Sequence, residues 1–172
     1  MKKYFIAVAA LALVACSGKQ AAKDAPVEVA EEDVVVTEQA IPINMRDSLN
    51  IQDGLGAVIE QEYEGVFPAA DGPGIDYDLA LFYQENSGDG VYELTTTYLE
   101  ADQGKDKAFK STGKRRTLKG SATNKDATIY ELIPSDGSIS LFFLVEGDSL
   151  TMLNKNLEKA ASDLNYSLKL KK

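Results

Sequence analysis

The sequence predicts an all-β domain, a small up-and-down antiparallel barrel of about eight strands, and three observations predict it. Apolar and polar residues alternate in eight short runs between Gln61 and Lys171, the period at which side chains leave opposite faces of a strand. Gly, Asn, Asp, Ser and Pro gather between the runs, where tight turns need them. No stretch carries a convincing long helical period. Closure follows because eight strands in an open sheet would leave two edges to protect, and a barrel leaves none. A sandwich of the same strands is the alternative, since it alternates in the same way.

The first run, Gln61 to Phe67, stops at Pro68. Pro68 and Pro73 each fix φ and remove a backbone donor, so the ladder breaks between them. Gly72 and Gly74 allow the backbone to turn and approach closely there. In the second run, from Asp76, residues Tyr77, Leu79, Leu81 and Tyr83 share one face. Asn86 to Gly90 reads as a turn, and Tyr92, Leu94, Thr96 and Tyr98 form the third face. The fourth run, Phe109 to Leu118, is the poorest, with Lys114, Arg115 and Arg116 inside it. Thr128 to Ile133 is the fifth, closed by Pro134 to Gly137. Ile139 to Glu146 is apolar on both faces, which predicts cover on both. Gly147-Asp148 is a two-residue hairpin turn into Ser149 to Leu153. In the last run Leu164, Tyr166, Leu168 and Leu170 alternate with Asn165, Ser167, Lys169 and Lys171.

Upstream of the domain the chain has a different character. Met1 to Lys3 is basic, Tyr4 to Val14 is apolar, and Leu13-Val14-Ala15-Cys16 resembles the bacterial lipobox. The apolar stretch is too short to span a bilayer and suits a signal peptide over residues 1–15. The resemblance implies cleavage before Cys16 and its acylation (diacylglycerol on sulfur, a fatty acyl chain such as palmitate on the amine), so that the protein meets the membrane through acyl chains. Ser17 after the cysteine points to the outer membrane, facing the periplasm. Residues 16–60 read as the acylated cysteine and a flexible acidic tether, a coil reaching roughly 35–40 Å. Val34-Val35-Val36 and Ile41-Pro42-Ile43 are apolar patches within it, and Ser48 to Ile59 could form a brief helix broken by Gly54 and Gly56. The domain proper is expected over 61–172.

Tyr63-Glu64-Gly65-Val66-Phe67-Pro68-Ala69-Ala70-Asp71-Gly72-Pro73-Gly74-Ile75 resembles a motif of the NlpE family of copper-resistance and envelope-stress lipoproteins, Tyr-x-Gly-x-Leu-Pro-Cys-Ala-Asp-Cys-x-Gly-Ile. Ala69 and Gly72 stand where that motif carries its Cys-x-x-Cys pair. Tyr130-Glu131-Leu132, Gly147 to Leu153 and Leu164 to Leu168 are similar to later signposts of the same N-terminal domain, so the likeness spans about residues 61 to 170. It implies a small lipocalin-like barrel and a part in envelope or copper stress. Full-length members add a C-terminal OB-type domain, for which this chain has no room. The segment Pro68, Ala69, Ala70, Asp71, Gly72, Pro73 and Gly74 is the candidate site for a ligand or partner.

Composition limits the chemistry. The 172 residues include no histidine and one cysteine, Cys16. An acylated Cys16 cannot serve as thiolate, and Met45 and Met152 are scattered, so no soft-metal site and no cofactor is expected. Asp71, Asp76 and Asp78 could hold a hard cation weakly, and equally read as solvated loop acids. No nucleophile–base pair or phosphate loop is recognisable, so no enzyme is expected. A net charge of −9, from 18 basic and 27 acidic residues, argues against nucleic acid as partner. Lys105, Lys107, Lys110, Lys114, Arg115, Arg116, Lys119 and Lys125 cluster, either as a patch for acidic headgroups or a partner, or as one solvated hairpin. Tyr77, Tyr83, Tyr92, Tyr98, Tyr130 and Tyr166 suit a partly polar cavity or a filled core. Two functions follow: an interaction module that touches an envelope protein, or a lipocalin-like carrier of a small amphipathic, largely apolar ligand.

Overall fold

Each alternating run becomes one strand of a meander, and a computed structural model describes residues 44–172. The leader, Cys16 and the tether up to residue 43 lie outside the described residues. The strands are β1 (Val58–Phe67), β2 (Ile75–Gln84), β3 (Asp89–Asp102), β4 (Lys105–Lys119), β5 (Thr128–Pro134), β6 (Leu141–Glu146), β7 (Ser149–Leu153) and β8 (Ser167–Leu170). Every strand pairs antiparallel with the next, and β8 returns to β1. Tyr63 stands opposite Leu170 and Glu64 opposite Lys169. That pairing makes a closed barrel and not a sandwich.

The seam between β1 and β8 is short. Beyond its two register pairs, the Lys171 amide donates to the Glu62 carbonyl at 2.8 Å. Outside the wall the Lys171 ammonium lies 3.1 Å from Asp78, 3.4 Å from Glu62 and 3.8 Å from Glu64. Gly65 lets the strands close up, because a Cβ there would stand 2.8 Å from the Ser167 carbonyl oxygen.

The inward face of the wall is apolar and packed. Leu79, Leu81, Leu132, Phe143, Leu150 and Leu168 are wholly buried, with Tyr63, Phe67, Tyr92 and Leu94 in the same cluster. Each such side chain contributes about 1.5–3 kcal/mol of burial. The tyrosines fill space, and several find partners: Tyr63 and Tyr83 donate to Gln61 Oε1 at 3.2 and 2.8 Å, and Tyr92 bonds Ser111 Oγ at 3.0 Å. Tyr77 stacks on Phe67 with centroids 4.4 Å apart. Burial, reinforced by the neighbouring Tyr130 and Tyr83 phenols, pushes Tyr63 up to about 12.

Three expectations shift. Ser48 to Ile59 forms no helix; a single 3-10 turn spans Met45–Ser48, and the chain then turns at Asp53–Gly54, with Gly54 and Gly56 at positive φ, before β1 begins at Val58. Residues 44–57 lie against the barrel, with Met45 packing on Phe82 and Val91 of the outer wall and its amide donating to Glu93 Oε1 at 2.6 Å. Gln84 secures the same segment, accepting from the Gln52 amide at 2.7 Å and donating to the Gln52 and Gly56 carbonyls at 2.9 and 3.1 Å. Ile139 is outside β6 and 87 % exposed, and Leu164 precedes β8 at 59 %. The poorest run in sequence is the longest strand, β4, at 15 residues.

Candidate interaction surface

In an eight-stranded meander the odd-to-even connections share one mouth of the barrel. The loop from Pro68 to Gly74 is the first of these. Pro68 and Ala69 are half-buried, Ala70, Asp71, Gly72 and Pro73 are exposed, and Gly74 is buried. Its carbonyl accepts from the Leu99 amide at 3.1 Å, tying the loop to β3. A Cβ on Gly74 would stand 2.6 Å from Val66 Cγ1, so glycine is needed for that fit. No cleft described below includes a residue of this segment, and among the described residues no hydrogen bond or ion pair engages the Asp71 side chain. Asp78 is engaged by Lys171. Among the described residues no group of three carboxylate or thiol side chains could hold a metal ion.

The same mouth presents features that lie outside the predicted segment. Among the described residues, five of the six exposed large hydrophobic side chains are there: Val66, Tyr98, Phe109, Ile139 and Leu164, with Ile51 the exception. β3 and β4 run past their other neighbours. β2 accompanies β3 only as far as Tyr98, and β5 meets β4 only from Gly113 onward. From Lys105 to Ser111 one side of β4 therefore faces no strand among the described residues. Tyr98 and Phe109 pack edge to face on this hairpin, centroids 5.7 Å apart, and stay 41 % and 48 % exposed. Lys107 reaches over the Phe109 ring at 5.3 Å. With Thr96 and Ala101 they line a shallow cleft of about 470 Å³.

The basic run divides between the two sides of the wall. Lys105, Lys107, Lys110, Lys114 and Arg116 are exposed, whereas Arg115 is 2 % exposed and points inward. It is therefore not part of a surface patch. Its guanidinium sits 4.2 Å from the Tyr83 ring centroid and 4.6 Å from that of Tyr130. Burial pulls its pKa down, against the pull of Tyr130, Tyr83 and Asp89. Arg116 turns outward and forms a two-pronged bond to Glu131 Oε2, at 2.9 Å from Nε and 2.6 Å from Nη2.

The frame from Tyr63 to Ile75 thus forms the β1–β2 hairpin, and the later signposts fall on β5, β7 and the approach to β8. The family model of the NlpE N-terminal domain matches residues 63–163. The chain belongs to the NlpE N-terminal domain family. No curated protein and no solved structure matches it. The NlpE family is associated with the cell envelope. In this NlpE domain the Pro68–Gly74 loop forms the β1–β2 corner, and the exposed aromatic pair of that mouth is on the β3–β4 hairpin. A signal for the hairpin was present in the sequence: Lys105, Lys107 and Lys110 fall in the stretch of β4 that, among the described residues, has a strand on one side only.

Proposed function

We propose that this NlpE domain is a non-enzymatic docking module of the bacterial envelope, carried on an acyl anchor at Cys16, that takes part in a stress response by holding an extended segment of an envelope protein. The observation that carries the reading is the free side of β4 from Lys105 to Ser111 beside exposed Tyr98 and Phe109. An edge strand offers a row of N–H and C=O groups to an incoming strand, and flanking apolar rings select its side chains. Lys105, Lys107 and Lys110 guard that edge against a second copy of itself and favour an acidic segment. The carrier alternative is less well supported, because leucines and tyrosines fill the barrel interior. Copper has little to bind it, since Ala69 and Gly72 replace the family cysteines and the chain has no histidine.

Photo-crosslinking from position 109 in whole cells tests this, with position 51 as the control. An envelope-protein adduct at 109, absent at 51, supports docking at the hairpin. Equal labelling at both, or none at 109, overturns it.

A further inference from the structure

Arg115 is a buried permanent charge whose neighbours carry no charge in contact with it. A guanidinium has five N–H groups and cannot shed its proton in a protein. Here Nη1 donates to Thr117 Oγ1 at 3.2 Å, and Nη2 to the Asp89 and Ser87 carbonyls at 3.3 and 3.5 Å. These are long for charge-assisted bonds. Nε is buried with no partner, and among the described residues Arg115 makes no ion pair. Burying an uncompensated cation costs several kcal/mol, which two tyrosine faces offset only in part.

A cleft adjoins this group at the mouth opposite the β3–β4 hairpin. It encloses about 420 Å³ between residues 48–52, the β2–β3 turn and β4, and Arg115 is one of its lining residues. Gly90 lines it too, and a Cβ there would stand 3.1 Å from Nε, so any larger residue would crowd that edge of the guanidinium. Ser48, Asn50, Gln52 and Lys114 supply further donors. One acid, Asp89, is also on the wall and favours a ligand of low charge.

We propose that this cleft binds a small oxyanion, a carboxylate or a phosphate, whose charge is met by the free Nε–H of Arg115 with Lys114 at the rim. The charge buried at Arg115 is then balanced only when the site is filled. The ligand is a free anion or the headgroup of an anionic lipid, and the chemistry is the same for both. This site is at the other mouth from the docking hairpin and does not depend on it.

The test is NMR observation of the Arg115 Nε–H resonance in the full chain. Inorganic phosphate, acetate, and vesicles of phosphatidylglycerol or phosphatidylcholine are added in turn, with sodium chloride matching ionic strength. A saturable shift with phosphate or acetate, absent with chloride, supports a site for free anions. A shift confined to phosphatidylglycerol vesicles supports the lipid headgroup. Arg115→Lys, which keeps the charge and loses the Nε–H, should weaken binding about tenfold or more, and Lys114→Gln should weaken it less. No saturable shift with any probe up to about ten millimolar, where even a very weak site fills, overturns the proposal and leaves Arg115 as an internal stack. That wild-type result stands even if a variant fails to fold.

Discussion

Gly65→Ala should loosen the barrel at its seam, and its size can be worked out from the contacts. The new methyl would stand 2.8 Å from the Ser167 carbonyl oxygen, 3.2 Å from Leu168 Cδ2 and 3.3 Å from Leu168 Cα. Two of those three atoms are backbone, so no rotamer change relieves the clash. Strand β8 must retreat by about 0.6 Å, from 2.8 Å to the 3.4 Å of ordinary contact. Overpacking of this kind costs about 1–3 kcal/mol, and a seam with two register pairs gives way easily, so about 1–2 kcal/mol is expected. Urea unfolding followed by far-UV circular dichroism measures it, and hydrogen exchange at the Lys171 amide, bonded across the seam to Glu62, locates it. Gly88→Ala is the control: nothing lies within 4 Å of that position, and its effect should stay within about 0.5 kcal/mol. The reasoning is refuted if Gly65→Ala matches the control, or if Lys171 exchange is unchanged while the rest of the barrel loosens.

Other expectations follow from the polar contacts. Arg116→Ala leaves the buried Glu131 carboxylate without its two-pronged partner and should cost about 1–2 kcal/mol, with much of the loss recovered in Arg116→Ala/Glu131→Gln. Gln84→Ala removes three bonds to residues 52–56; the Gln52 amide should exchange faster and stability should fall by about 1–2 kcal/mol, while Lys171 exchange is unchanged. Tyr63 titrates near 12 in the fold and near 10 when unfolded. The unfolded chain therefore loses that proton first, so the contribution is intact below pH ~10 and declines by about 1.4 kcal/mol per unit up to pH ~12. Urea midpoints measured across that window should fall less steeply for Tyr63→Phe. Phe109→Asp, on a half-exposed ring, should change stability by less than about 0.5 kcal/mol while abolishing the crosslink partner's capture from a neighbouring position such as 107.

Most of the strand order was legible because β2, β6, β7 and β8 place apolar side chains on the inward face at every second position, and β1, β3 and β5 do so at several. Tyr77, Leu79, Leu81 and Tyr83 declare β2 without help from the structure. β4 does not declare itself, and Arg115 shows why. The inward residues of that strand are Ser111, Gly113, Arg115 and Thr117, so the period of two persists with no hydrophobic signal to reveal it. Three consecutive basic residues look alike in sequence, and only strand geometry sends the middle one into the core. Closure was equally invisible to alternation, since it is decided by Tyr63 meeting Leu170, more than a hundred positions away. The start of β8 was misjudged because Leu164 fits the pattern. Asn165 takes over the ladder there, its side chain accepting from the Ser167 amide at 3.2 Å and donating to the Val66 carbonyl at 3.0 Å. For the Pro68–Gly74 loop the pattern speaks to shape alone. Proline and glycine mark a sharp corner whether or not anything binds to it.

The closing role of β8 bears on where this protein can be cut. The family match ends at residue 163, before Ser167–Leu170 begins. A fragment trimmed to the matched residues would lose its last stave, leave β1 and β7 with bare edges, and strip Met45 from Phe82 and Val91. Such a fragment should aggregate, whereas one running from Asn44 to Lys172 keeps every stave and its outer strap.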